Sequence, residues 1–219
     1  MIMSRAQQIQ AFCHSRGITT VVHFTRLCNL PSIINDGLIP RALLDGDVVP
    51  FNDAYRYDEY LEANCMSISF PNYQMFYSCR ENHDNTDARW FVFTVDARVL
   101  WELDCAFCIE NASSNSVRRI PLEQRKSLGA LQKMFDDYTF ENRTVTRSEL
   151  GVPESYPTHP QAEVLVFDTV PLKYFRAVHF EKKSDHQKYE ATLSPLRNNL
   201  NVFIKRDLFL YRKDWVKWR

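Results

Sequence analysis

Trp90-Phe91-Val92-Phe93-Thr94-Val95 is an unbroken run of aromatic and β-branched residues, the strongest buried strand in the chain. A run of this kind requires a sheet, and the other apolar segments supply one. Thr19–Phe24, Cys65–Phe70, Cys105–Ile109, Ala162–Phe167, Tyr174–Phe180 and Asn201–Lys205 all read as strands, with a brief one at Leu38-Ile39-Pro40. Helical patterns lie between them. Residues 4–16 put Ile9, Phe12 and Cys13 on one face and stop at Gly17. Asn29 N-caps a short helix that ends before Gly37, and further helices are expected over 54–62, 73–80, 99–101, 121–138 and 184–196. Residues 41–53 and the polar segment 139–160, with three prolines, read as loops. Without repeats or low-complexity linkers, the economical reading is one α+β domain over 1–219, built on a mixed or antiparallel sheet.

Composition narrows the function classes. The longest apolar runs are a few residues, so no membrane span is expected, and the first ten residues lack a signal-peptide core, which favours a cytoplasmic protein. Six cysteines at irregular spacing read as reduced thiols. Cys105 and Cys108 have CxxC spacing, but no second pair or paired histidines complete a zinc site, so apolar packing is expected and no metal. The formal net charge is zero, which argues against a uniformly basic nucleic-acid coat. The charge is uneven, however. The segment 205–219 carries six basic residues against Asp207 and Asp214, interleaved with Tyr211, Trp215 and Trp218. Such a segment can hold phosphates and stack on unpaired bases, and it equally fits a closing strand and helix with a solvated face. Asp45 to Glu62 holds six acids and a single base, Arg56.

Two strands carry polar side chains that packing does not ask for. His23 and Thr25 share one strand face and can bind hydroxyls and an amide, although a strand histidine also fits a satisfied core position. Gln161 and Glu163 share a face of a late strand. A carboxylate there can accept a hydrogen bond from a sugar hydroxyl as positive charge develops on the ring, or orient an incoming nucleophile. A surface glutamate at a strand edge is the competing reading. Ser32 lies at a helix start, where N–H groups favour an anion, or serves only as a helix-start residue. Arg56 can grip a pyrophosphate with two N–H groups or sit solvated.

A histidine strand, a serine strand leading into a helix (Met66-Ser67-Ile68-Ser69-Phe70-Pro71, then 72–80), and a late strand opening with Gln-x-Glu follow the order used by ADP-ribosyltransferases. The chain resembles the DarT family, DNA ADP-ribosyltransferase toxins of DarT–DarG toxin–antitoxin systems. The resemblance rests on His23-Phe24-Thr25, Asn29-Leu30-Pro31-Ser32-Ile33-Ile34, Gly37-Leu38, Arg56, Phe70-Pro71 through Met75-Phe76-Tyr77, and Gln161-Ala162-Glu163-Val164-Leu165-Val166. Asn201-Val202 and Arg212-Lys213-Asp214-Trp215 complete it, over nearly the whole chain.

The resemblance implies an ADP-ribosyltransferase (PARP-like) fold with a split antiparallel or mixed central sheet flanked by helices. It implies NAD as co-substrate, Glu163 as the catalytic glutamate and Arg56 as a second catalytic and cofactor-contacting residue. His23, Phe24, Thr25, Ser32 and Pro40 fall at NAD-contacting positions, and 139–160 at the loop that presents the target base. It further implies single-stranded DNA as acceptor, no metal, and a DarG-type macrodomain antitoxin as partner. Met66 to Tyr73 looks more like the guanine-modifying branch than the thymidine-modifying one. Thymine, RNA or protein as acceptor, and an inactive NAD- or nucleic-acid-binding domain of this fold, remain open at the level of sequence.

Overall fold

The structure, a computed structural model, describes residues 3–44, 56–81 and 88–219. Helix α1 (Arg5–Ser15) opens the chain with a capping box, in which Ser4 accepts from Gln7 N and the Gln7 side chain accepts from Ser4 N. Strand β1 (Thr20–Arg26) follows, then α2 (Leu30–Asp36), β2 (Asn64–Ile68), α3 (Tyr73–Glu81) and β3 (Trp90–Asp96). After these come α4 (Val99–Glu102), β4 (Cys105–Cys108), α5 (Asn115–Arg118), α6 (Leu122–Arg125) and α7 (Leu128–Lys133). A hairpin, β5 (Tyr138–Phe140) and β6 (Arg143–Val145), leads into α8 (Arg147–Leu150) and β7 (Glu163–Val166). Strand β8 (Phe175–Phe180), α9 (Lys183–Leu193) and β9 (Asn201–Ile204) close the order.

Seven of these strands form one sheet in the order β4-β7-β2-β1-β3-β8-β9, antiparallel throughout except that β9 runs parallel to β8. The aromatic run predicted as the strongest buried strand is there as β3: Phe91, Phe93 and Val95 face the main core with Leu30, Met66, Val164 and Phe180. Val92 and Trp90 face a second cluster with Phe76 and Phe209. An α+β sheet flanked by helices, as expected, is therefore the architecture.

The sheet is unevenly zipped. Strands β1 and β3 pair over seven residues, whereas β1 and β2 pair only at Val21↔Ile68 and Val22↔Ser67. Beyond Val22 the two strands part, and the His23 ring spans the gap with Nδ1 donating to Cys65 O at 2.9 Å. The split expected for the fold lies here.

Several local expectations fail for identifiable reasons. The helix predicted over 54–62 is not helical in its described part, 56–62: Asp58 instead accepts from Tyr60 N at 3.3 Å and pairs with Arg56, competing with helix formation. Residues 54 and 55 lie outside the described set, as do 45–53 of the expected loop. The polar segment 139–160 is folded, since its prolines leave room for a hairpin and for α8, capped by the Thr146/Glu149 box. The single helix expected over 121–138 is two short ones, and Leu38–Pro40 contributes one bridge, Leu38↔Val170. That bridge needs Gly37, whose φ is 82° and where a Cβ would meet Val170 O at 2.6 Å. Cys105 and Cys108 pack in opposite apolar clusters, because positions three apart on a strand face opposite ways.

Candidate active site

Where β1 and β2 separate, a cleft of about 1100 Å³, open mouth included, runs from α2 to the start of β7. His23, Phe24, Thr25, Ser32, Arg56 and Glu163 all line it. Of the expected cofactor positions only Pro40 is missing from the wall; it is buried, and its neighbours Ile39 and Arg41 line the cleft instead. A second cleft adjoins the first. Arg56, Cys65, Met75 and Glu163 belong to both, and the second is further lined by residues that include Asp58, Gln74, Ser78, Asn111 and Gln161. Glu163 thus stands at a threshold between two chambers.

β7 begins at Glu163, which faces β4 across Cys108. The side chain is only 4% exposed. Its Oε2 accepts from Ala112 N at 2.8 Å, and Oε1 accepts from Asn111 Nδ2 at 3.2 Å and Asn72 Nδ2 at 3.4 Å. All three donors are neutral. Burial pushes the carboxyl up to about 7 and nearby Asp58 adds to the rise, against the Ala112 and Asn72 bonds and the charge of Arg56. A carboxylate poised near neutrality can accept a proton in a reaction at physiological pH.

Arg56 is held as well. Its Nε and one Nη2 hydrogen grip Asp58 at 2.9 Å each, Nη1 reaches Ala63 O at 3.1 Å, and Nη2 reaches Tyr60 O at 2.5 Å. Most of its fork is therefore spent on its own turn, and it meets the clefts chiefly as a fixed positive charge. In His23 the Nδ1 carries the proton, because a carbonyl oxygen only accepts, which leaves Nε2 as the acceptor. Burial lowers the imidazole below its ordinary value, Arg56 lowers it further, and the Cys65 bond opposes both, so the ring is neutral at pH 7. Thr25 accepts from Asn29 Nδ2 at 3.0 Å, Ser32 donates to Asn29 O at 3.0 Å, and Phe24 stacks on Phe76 at 4.4 Å.

Asn72, Asn111, Ala112 and Asp58 were not singled out from the sequence. Asn72 has a readable signal: placed after Pro71 at a helix start, its Oδ1 accepts from Met75 N at 3.1 Å while its amide serves Glu163. The other three reach the site through loops and turns. Among the described residues no group of His, Cys, Asp or Glu is arranged to hold a metal ion, and no helix is long and apolar enough to cross a membrane.

The C-terminal segment packs directly on the polar region before β7. Arg212 donates to Pro157 O at 2.8 Å and Thr158 O at 2.7 Å, Arg143 donates to Lys217 O, and Trp218 meets His159 and Tyr138 at 4.8 and 5.8 Å. These two regions form one wall.

A profile of the family described as "ssDNA thymidine ADP-ribosyltransferase, DarT" matches residues 22–210. The chain belongs to the DarT family. Among solved structures, it resembles Thermus sp. 2.9 DarT in complex with carba-NAD+ at 14% identity and a TM-score of 0.56, covering 88% of this chain and 98% of that one. The same DarT in complex with ADP-ribosylated ssDNA gives 13% and 0.57 over 89% and 97%. Thermosipho africanus DarTG in complex with ADP-ribose gives 15% and 0.54, and there the match spans 87% of this chain and 50% of the longer one. At these identities the likeness is one of fold, the DarT ADP-ribosyltransferase fold. No curated protein sequence matches the chain.

Proposed function

We propose that this DarT-family protein transfers ADP-ribose from NAD to a base of single-stranded DNA, releasing nicotinamide. The carrying observation is Glu163, a buried carboxylate held by neutral donors where two clefts meet. NAD lies in the cleft between β1 and β2, against His23, Phe24, Thr25 and Ser32, with Pro40 behind the wall. The unpaired base enters the second cleft, beside the amides of Gln74, Asn111 and Gln161. The bond from the ribose carbon to the nicotinamide nitrogen breaks, and nicotinamide leaves with the electron pair. A nitrogen of the base forms the new bond to that carbon, and its proton passes to Glu163. Accepting a hydrogen bond from the ribose hydroxyl, Glu163 also stabilises the cationic sugar. Arg56 contributes a fixed charge toward the pyrophosphate and keeps Glu163 from rising further.

Guanine is the proposed base, on the likeness of Met66 to Tyr73 to the guanine-modifying branch. The family's description names thymidine, which makes thymine the second reading. We also assign the protein the part of the toxin in a pair with a DarG-type macrodomain antitoxin, working in the cytoplasm, and likeness to DarTG supports that pairing. Incubation with NAD and oligonucleotides of each base, followed by mass spectrometry, tests the reading. One ADP-ribose on guanine is expected. Modified thymine overturns the base alone, and unmodified DNA of every sequence overturns DNA as the acceptor.

A further inference from the structure

The stretch 210–216 is inside out. Arg212 and Asp214 are buried, each 4% exposed, whereas Leu210, Tyr211 and Val216 are 51%, 42% and 58% exposed. Buried charge and exposed apolar surface in alternation reverse the usual preference, and such a reversal calls for a reason. The buried pair supplies the rigidity. Arg212 grips Asp214 through two bonds of 2.6 Å and Asp214 accepts from Trp218 Nε1 at 2.7 Å, so the backbone that carries the exposed rings is held in place.

Those rings form a continuous surface. Tyr211 and Trp215 stack with centroids 5.3 Å apart and planes 29° from parallel, and Tyr77 of α3 meets Tyr211 at 5.3 Å. The Arg219 guanidinium sits 3.9 Å over Trp215, with Lys213 and Lys217 exposed nearby in sequence. Helix α3 links this surface to the acceptor chamber: Gln74 and Ser78 line the chamber, while Tyr73 and Tyr77, their sequence neighbours, turn to the aromatic side. The two surfaces thus lie on different sides of one helix, about 10–12 Å across with its side chains.

We propose that Tyr77, Tyr211 and Trp215 form a stacking platform for the unpaired nucleotides that flank the acceptor base, with Arg219 and Lys213 on the phosphates between them. The platform rests on the reading of the second cleft as the base chamber. Tyr77 and Tyr211 are exposed and Trp215 is half-buried between Tyr211 and the Arg219 guanidinium. Aromatic rings interleaved with cations suit bases and phosphates, and stacking is tolerant of sequence, so the platform grips the strand while the chamber selects the base.

The test uses the full chain and fluorescein-labelled single strands of twelve thymidines or twelve adenosines, neither carrying guanine, read by anisotropy at two salt concentrations. Trp215→Leu and Tyr211→Ala are each expected to weaken binding about tenfold, within the range that stacking one base contributes. Trp215→Phe keeps most of the affinity, and Arg219→Ala flattens the salt dependence. Melting temperature and NAD affinity, measured on the same samples, identify a variant that has lost its fold; Trp215→Phe then serves as the comparison against Trp215→Tyr. Wild-type affinity in Trp215→Leu and Tyr211→Ala overturns the platform, as does equal affinity in Trp215→Leu and Trp215→Phe. Because binding is read without turnover, these outcomes stand apart from the mass-spectrometric test of transfer.

Discussion

Glu163 and Asp214 are buried to the same degree, 4% exposed each, yet they are neutralised in opposite ways. Asp214 faces a guanidinium through two short bonds and an indole N–H through a third. Glu163 is met by a backbone N–H and two side-chain amides, while Arg56, whose charge reaches it, is turned to Asp58. A carboxylate locked into an ion pair is structural, its charge cancelled by its partner. One held by neutral donors keeps its geometry while its proton remains exchangeable. The difference is what singles out Glu163, rather than Asp214, for the proposed chemistry.

The largest effect expected from breaking this comparison is on turnover. Glu163→Gln keeps the size of the side chain but abolishes its ability to take a proton, and transfer should fall by on the order of 10²- to 10⁴-fold with NAD affinity nearly unchanged. Single-turnover kinetics with calorimetry measures both; a loss below about tenfold removes Glu163 from the mechanism. Next in size is a loss of stability. Arg212→Ala leaves Asp214 buried without its cation and should cost about 3–5 kcal/mol in denaturant unfolding, whereas Arg212→Leu combined with Asp214→Leu should cost far less. If the double change is as damaging as the single one, the pair is doing more than cancelling charge.

Titration sharpens the contrast. Glu163 is raised in the folded protein to about 7 from 4.5, so the folded state holds the proton more tightly than the unfolded chain. Its contribution to stability is present below pH 4.5 and is lost as pH rises to 7, about 3 kcal/mol at most. Glu163→Gln should remove that slope from a pH series of unfolding curves. Transfer follows the opposite course and rises with pH through about 7, because the ionised form accepts the proton. Removing the charge of Arg56 by Arg56→Ala should move the midpoint of that rise to higher pH. The smallest effect is expected at the cofactor cleft, where His23→Ala should weaken NAD binding about tenfold by calorimetry. An unchanged affinity would mean that NAD lies elsewhere.

The parts of this arrangement that were legible in the sequence are those whose own strands carry them. His23-Phe24-Thr25 and Gln161-Ala162-Glu163 stood out because polar side chains interrupted apolar runs, and both segments line the clefts. Asn111 and Ala112 gave no such sign, since a loop brings them to Glu163 from across the β4–β7 pair. Residues 54–62 read as a helix because helical propensity does not register that, in the described part, Asp58 and Arg56 bond the local backbone. The Thr146-x-x-Glu149 box marks a helix start inside a segment whose polarity and prolines read as a loop. The parallel course of β9 depends on where α9 returns the chain, which no local pattern encodes.

The grip of Arg212 on Pro157 and Thr158 has a consequence for how the protein comes into being. Synthesis runs from the N-terminus, and every residue assigned to either cleft has been made by the time Glu163 is added. The wall leading into β7 still lacks its clamp, which arrives only with residues 212–218. The newborn chain therefore passes through an interval in which Glu163 has been made but the surface proposed to hold a strand against it is not yet clamped. Under the proposed function, strand engagement matures after the carboxylate and both clefts have been made, a delay written into the position of one arginine.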